Sequence, residues 1–164
     1  HETIRRFHVA MVPEGGRLFP RMSVKENLYM GAYLPKAGAV KERTLEYVFQ
    51  LFPELAERQK QAAGSLSGGE QRMLAIGRAI MSLPKILIVD EVSWGLGPIP
   101  IQKIYSALTG LHKQGATILI VEQYAKKALE FADYAYLLER GKIVTQGSCK
   151  EMLENRHIRE YYLG

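Results

Sequence analysis

Two short strings in this chain carry the residue types of phosphate chemistry. The first is Leu66-Ser67-Gly68-Gly69-Glu70-Gln71, directly ahead of an amphipathic run. Adjacent glycines let the backbone approach a ligand with no Cβ in the way. A serine hydroxyl beside the amides of a helix N-terminus makes an anion site suited to phosphate. Taken alone, Ser-Gly-Gly is better read as a helix cap followed by a turn. The second string is Ile86-Leu87-Ile88-Val89-Asp90-Glu91, an apolar strand tipped with two carboxylates. At the C-terminal edge of a parallel sheet, where α/β folds bind ligands, one carboxylate suits Mg²⁺. Its neighbour is placed to polarise a water beside a phosphoryl group. An acidic strand end in a loop is the plain alternative.

The elements that must position these strings are legible from period and punctuation. Val9-Ala10-Met11-Val12 is β-prone and ends at Pro13 and the loop Glu14-Gly15-Gly16. Residues 23–33 read as a helix opened by a Ser23/Glu26 capping box. Residues 40–52 read as a second helix, with Leu45, Val48, Phe49 and Phe52 on one stripe and Pro53 stopping it. A helix over 69–81 carries Met73, Ile76, Gly77 and Ile80 at helical spacing. The run from Ile86 to Asp90 does not alternate, as expected of a strand covered on both faces. A helix over 101–113, a second buried strand over 117–121 and a short helix over 125–132 follow. Two β-prone segments, 134–138 and 142–145, are joined by a hairpin turn at Arg140-Gly141. A second capping box, Ser148 with Glu151, opens a C-terminal helix, and Tyr161-Tyr162-Leu163 reads as an apolar tail. Strand and helix alternating in this rhythm imply an α/β domain with a largely parallel sheet, and the all-helical stretch ahead of it a separate lobe.

Composition sets the bounds. At 164 residues, 47% hydrophobic and 24% charged, the chain has ordinary globular make-up and is no disordered segment. Its single cysteine, Cys149, excludes an internal disulfide and any zinc site built from several thiolates. No apolar run is long enough to cross a bilayer, and His1-Glu2-Thr3-Ile4-Arg5-Arg6 does not read as a secretory leader. A net charge of +5 allows an acidic partner such as phosphate or a membrane surface without requiring one.

The two strings at this distance, bridged by Arg72-Met73-Leu74-Ala75-Ile76-Gly77-Arg78-Ala79, resemble the ATP-binding cassette (ABC) ATPases. The first resembles their signature loop, the second their Walker B strand with its catalytic glutamate. Val12-Pro13-Glu14-Gly15 sits at the Q-loop position, Glu91-Val92-Ser93-Trp94-Gly95-Leu96-Gly97-Pro98 at the D-loop and Val121-Glu122-Gln123 at the switch. Glu14, Gln123 and the Gly-Leu-x-Pro string look like an ATPase subunit of the branched-chain amino acid importers.

What the resemblance implies is an α/β P-loop NTPase (ABC ATPase) fold with an inserted helical subdomain. The expected divisions are 1–14 (end of the N-terminal core and Q-loop), 15–66 (helical subdomain) and 67–164 (signature helix and C-terminal core). It also implies ATP and Mg²⁺ as ligands, Asp90 at the metal, and Glu91 and Gln123 as catalytic groups. Glu14 would lie by the metal and the attacking water. Ser67, Gly68, Gly69 and Glu70 would act on a nucleotide bound mainly by an opposing subunit. The implied partners are a second ABC ATPase subunit, packed head to tail, and transmembrane permease subunits. No nucleic acid is among them. The implied place is the cytoplasmic face of the plasma (inner) membrane, as a peripheral subunit. An ABC ATPase of another pathway, or a degenerate cassette that only binds a partner, are the alternatives.

One departure shapes a further expectation. No string of the form G-x-x-x-x-G-K-[ST] occurs; Gly141-Lys142 is followed by Ile143 and lacks the preceding glycine. The chain is therefore expected to be an incomplete fold, a fragment whose N-terminal part with the Walker A loop is absent. Such a chain is expected to be inactive in isolation.

Overall fold

A computed structural model describes residues 7–155 and Ile158. The Tyr161-Tyr162-Leu163 tail lies outside the described residues. The chain divides into two compact units, residues 1–120 and 121–164.

In the first unit, β1 (Val9–Val12), β2 (Ile86–Asp90) and β3 (Thr117–Val121, whose last residue falls beyond the division) form a sheet in the order β1-β2-β3. β1 and β2 are parallel, with Val9 opposite Ile86 and Val12 opposite Val89. The Thr117 N–H donates to the Lys85 carbonyl at 2.8 Å, so β3 starts beside the start of β2. The helices of the unit are α1 (Val24–Gly31), α2 (Pro35–Ala39), α3 (Lys41–Leu51), α4 (Pro53–Glu57), α5 (Gly68–Ile80) and α6 (Pro98–Lys113). A 3₁₀ turn, Ala63–Ser65, leads into α5.

Helix α5 is the hub. Met73, Leu74, Ala75, Ile76 and Ile80 are buried, and α1, α3, α4, α6 and β1 all pack on it. Burying each large aliphatic side chain here is worth about 1.5–3 kcal/mol, so the hub and not helix propensity holds the lobe together. Close approach does the rest. A Cβ added at Gly31 would stand 1.9 Å from the Arg78 carbonyl oxygen, so only glycine lets α1 lie this near α5. Both Ser23 and Ser67 make complete capping boxes. Pro53 ends α3 as expected and also opens α4, because proline at the first helical position loses no hydrogen bond. For the same reason α6 starts at Pro98 and not at residue 101.

The second unit holds α7 (Ala125–Phe131), the hairpin β4 (Tyr134–Glu139) and β5 (Lys142–Ser148), and α8 (Cys149–Glu154). Its core is Leu129, Cys149, Met152 and Ile158, with Leu137 packed against it. At the start of α8 the Glu151 N–H donates to Ser148 Oγ at 3.3 Å.

Two expectations about the sheet are corrected. Among the described residues there is not one largely parallel sheet but two sheets, a three-stranded one and an antiparallel pair. The hairpin turn forces the second: Arg140 and Gly141 both have positive φ, 48° and 77°, the geometry that folds a strand back on its neighbour. Nor is β3 a strand covered on both faces. Thr117, Leu119 and Val121 are exposed while Ile118 and Ile120 are half-buried, so one face of the strand is left uncovered. In β2 the alternation is milder: Leu87 and Val89 are fully buried and Ile86 and Ile88 partly so.

Candidate active site

Ser67 is the N-cap of α5. Its Oγ accepts the Glu70 N–H at 3.4 Å and donates to Glu70 Oε2 at 2.7 Å, and the same oxygen accepts the Ser67 N–H at 2.8 Å. The Ser67 hydroxyl, first among the causes, holds the Glu70 carboxyl below the usual carboxylate range. Arg58, just past α4, pairs with the other Glu70 oxygen at 2.9 Å. The turn is thus a cap whose carboxylate is already neutralised by a cation.

Gly68 and Gly69 are the first two residues of the helix, where backbone N–H groups have no partner within it. Together with Ser67 and Glu70 they line a groove of about 370 Å³ shared with Gly95, Leu96, Gly97, Ile99 and Pro100. A Cβ at Gly69 would come within 2.9 Å of Pro100 Cγ, so the residue type here is set by the neighbouring helix. One side of the groove is closed by an ion pair between Lys103 of α6 and Glu54 of α4.

The carboxylates stand elsewhere. Because Val12 pairs with Val89, the ends of β1 and β2 run side by side, and Glu14 leaves the same sheet edge as Asp90 and Glu91. Glu91 has φ +46°, a left-handed conformation that a glutamate adopts only when its surroundings impose it. The imposed turn continues through Val92 and Ser93, both buried, and the Trp94 N–H donates to the Glu91 carbonyl at 3.4 Å. No group of three or more His, Cys, Asp or Glu side chains able to hold a metal exists among the described residues. A single carboxylate such as Asp90 fits the way Mg²⁺ is held beside phosphate, by one or two carboxylates with the remaining positions taken by water and phosphate oxygens.

The site residues therefore fall into two groups within the first unit. Ser67, Gly68, Gly69 and Glu70 share a groove that none of Glu14, Asp90 or Glu91 lines. Gln123 belongs to the second unit, where it is exposed. Sequence reasoning missed Arg58, Glu54, Lys103 and Pro100. Glu54 and Arg58 belong to α4 and its C-terminal cap and Pro100 and Lys103 to α6, and nothing in the local pattern around them points to the groove. It also missed Asn27, fully buried in α1. Its Oδ1 accepts the Phe19 N–H at 2.9 Å, and its Nδ2 donates to the Phe19 and Ser23 carbonyls, both at 3.0 Å. That side chain pins the segment between Glu14 and α1.

A family model described as ABC transporter matches residues 1–93. The high-affinity branched-chain amino acid transport ATP-binding protein BraG of Pseudomonas aeruginosa is 48% identical over 162 residues, 99% of this chain and 69% of that protein. The lipopolysaccharide export ATP-binding protein LptB of Escherichia coli is 30% identical over 166 residues, covering 68% of its length. Among solved structures, a nucleotide-free ATP-binding cassette from an ABC transporter superposes with a TM-score of 0.75 at 26% identity, over 99% of this chain and 71% of that one. Against the expectation of a fragment with an incomplete fold, the family model matches residues 1–93 and BraG aligns along 99% of this chain. The inactivity expected of a fragment is not carried forward. No helix among the described residues is long and apolar enough to cross a membrane. A glycine-headed hub helix, an acid-tipped strand and these matches have one meaning: the chain belongs to the ABC transporter family, as an ABC-type ATPase.

Proposed function

We propose that this chain is the ATP-binding and ATP-hydrolysing subunit that powers an importer of branched-chain amino acids. The observation that carries the reading is the 48% identity to BraG, against 30% to LptB of the export system. The working position is peripheral, on the cytoplasmic face of the plasma membrane, beside transmembrane permease subunits and a second ATPase subunit packed head to tail.

Glu91 is the general base, removing a proton from the water that attacks the γ-phosphorus. Its left-handed backbone sets where the side chain leaves the strand end. Asp90 would hold Mg²⁺, through water or directly, and the ion would supply neutralisation of phosphate charge. Glu14, leaving the same sheet edge, orients water near that ion and reports the state of the site to the permease. Gln123 donates a hydrogen bond towards the γ-phosphate and, as a neutral amide, shuttles no proton. Gly68 and Gly69 present amides to the nucleotide held mainly by the opposing subunit, Ser67 adds its hydroxyl on turning it away from Glu70, and Glu70 still holds the turn through the Ser67 N–H. Two separate groups of residues on one subunit are what a shared, head-to-tail site requires.

The test is Glu91→Gln at the chromosomal gene, with uptake of radiolabelled leucine, isoleucine and valine measured in cells. Loss of a general base costs on the order of 10²–10⁴ in rate, so uptake should fall to background while the subunit still accumulates. Unchanged uptake of all three, or loss of lipopolysaccharide export in its place, overturns the assignment.

A further inference from the structure

Arg78 sits near the C-terminal end of α5, sixty-two residues along the chain from the segment it touches. Its Nη2 donates to the Gly16 and Arg17 carbonyls, each at 2.9 Å, and its guanidinium lies 5.5 Å from the centre of the Phe19 ring. The segment so held is unusual. Gly16 and Arg17 both have positive φ, 70° and 42°, and for arginine that conformation is costly unless imposed. The Gly16 N–H donates to the Pro13 carbonyl at 2.9 Å, closing a turn whose second residue is Glu14. Gly16 is also seated on α5 itself, where an added Cβ would stand 3.0 Å from Ala75 Cβ. Downstream, Asn27 pins Phe19. One rigid helix thus carries the Ser67 turn at one end and grips the Glu14 turn with the other.

We propose that Arg78 is a positioning residue for Glu14, binding the Glu14 turn to α5 so that this turn and the Ser67 turn move as one body. The proposal rests on the functional reading above. Its physical basis is that one guanidinium nitrogen, Nη2, donates to two adjacent carbonyls while the group lies by the Phe19 ring, a setting that a flat, weakly hydrated guanidinium suits better than a strongly hydrated ammonium. Without it, the left-handed pair at 16 and 17 relaxes, Glu14 loses its fixed origin, and a shift of α5 no longer reaches it. Nucleotide affinity does not depend on the link; turnover does.

The experiment compares wild type, Arg78→Met and Arg78→Lys by two readouts. Hydrogen exchange on the full chain should show amides at positions 16–19 exchanging roughly tenfold faster in Arg78→Met, with α1 and α5 amides unchanged. ATP turnover of the assembled transporter should lose about tenfold in kcat with KM held within about twofold. Arg78→Lys, keeping the charge and one contact, should fall between on both. Equal exchange at 16–19 in all three proteins overturns the clamp, and a freed turn with unchanged kcat overturns its role in positioning. If Arg78→Met fails to fold, Arg78→Lys decides, and wild-type behaviour on both readouts defeats the proposal. A wild-type complex without ATP turnover sinks the functional reading and the coupling together, whereas equal exchange in an active transporter sinks the clamp only.

Discussion

At α1 the residues Ser23-Val24-Lys25-Glu26, and at α5 the residues Ser67-Gly68-Gly69-Glu70, build the same device. In each, the cap serine N–H donates to the glutamate carboxylate, at 2.7 Å and 2.8 Å, and the serine hydroxyl donates to it at 2.6 Å and 2.7 Å. In each, the serine is the main cause that lowers the glutamate's pKa. They differ in the two residues between and in what lies outside. The α1 cap has a valine, fully buried, and a lysine beside Tyr29 that with Ser23 and Glu26 lines a wider groove of about 830 Å³. The α5 cap has two glycines lining a groove, a proline from another helix against one of them, and an arginine on its glutamate. A capping box starts a helix whatever the helix is for. The function lies in what the box leaves bare.

The comparison can be broken most forcefully at the third residue of each cap. Gly69→Ala should reduce transport by about a hundredfold, the scale of losing a positioned donor to a transition-state charge. Its Cβ meets Pro100 and displaces the turn. Lys25→Ala, the same position in α1, should leave transport within about twofold. If the two behave alike in an uptake assay, the glycines are only structural.

The caps themselves provide a finer contrast. Ser67→Ala and Ser23→Ala should each cost about 1 kcal/mol in urea unfolding, the usual worth of a serine cap. Only Ser67→Ala should also slow ATP turnover. A matching loss of turnover in Ser23→Ala would show that both act through stability.

Acid should have the smallest effect. The folded pKa of Glu70 is depressed, so its contribution to stability is full above the unfolded value and fades as pH falls through the folded one. Thermal melts from pH 7 down to 3 should therefore show a shallower loss in Glu70→Gln than in wild type. Parallel curves would mean that the cap carboxylate is not linked to folding.

Much of this was readable before any coordinates. Ser67 with Glu70, and Ser23 with Glu26, follow from spacing alone, because a cap involves only four consecutive residues. The strand Ile86–Asp90 was legible for a similar reason, as a short apolar run cut off by acids. The burial of β3 was not. Ile118, Leu119, Ile120 and Val121 read as core, yet a strand's exposure depends on whether another element covers it, which its own residues do not encode. The Arg58–Glu70 pair and the Pro100 contact were equally illegible, since both join distant segments through side chains with no period.

The amino-acid string by itself determined the local grammar: which stretches coil, where they are capped, and which carboxylates end a strand. It did so because those choices are settled within a turn or two of backbone. Only the tertiary structure decided that α5 is the hub, that Glu14 leaves the sheet edge beside Asp90 and Glu91, and that Arg78 reaches back to the Gly16 carbonyl. Those relations depend on helices and strands meeting in space, and close packing between remote segments leaves no signature in the order of residues.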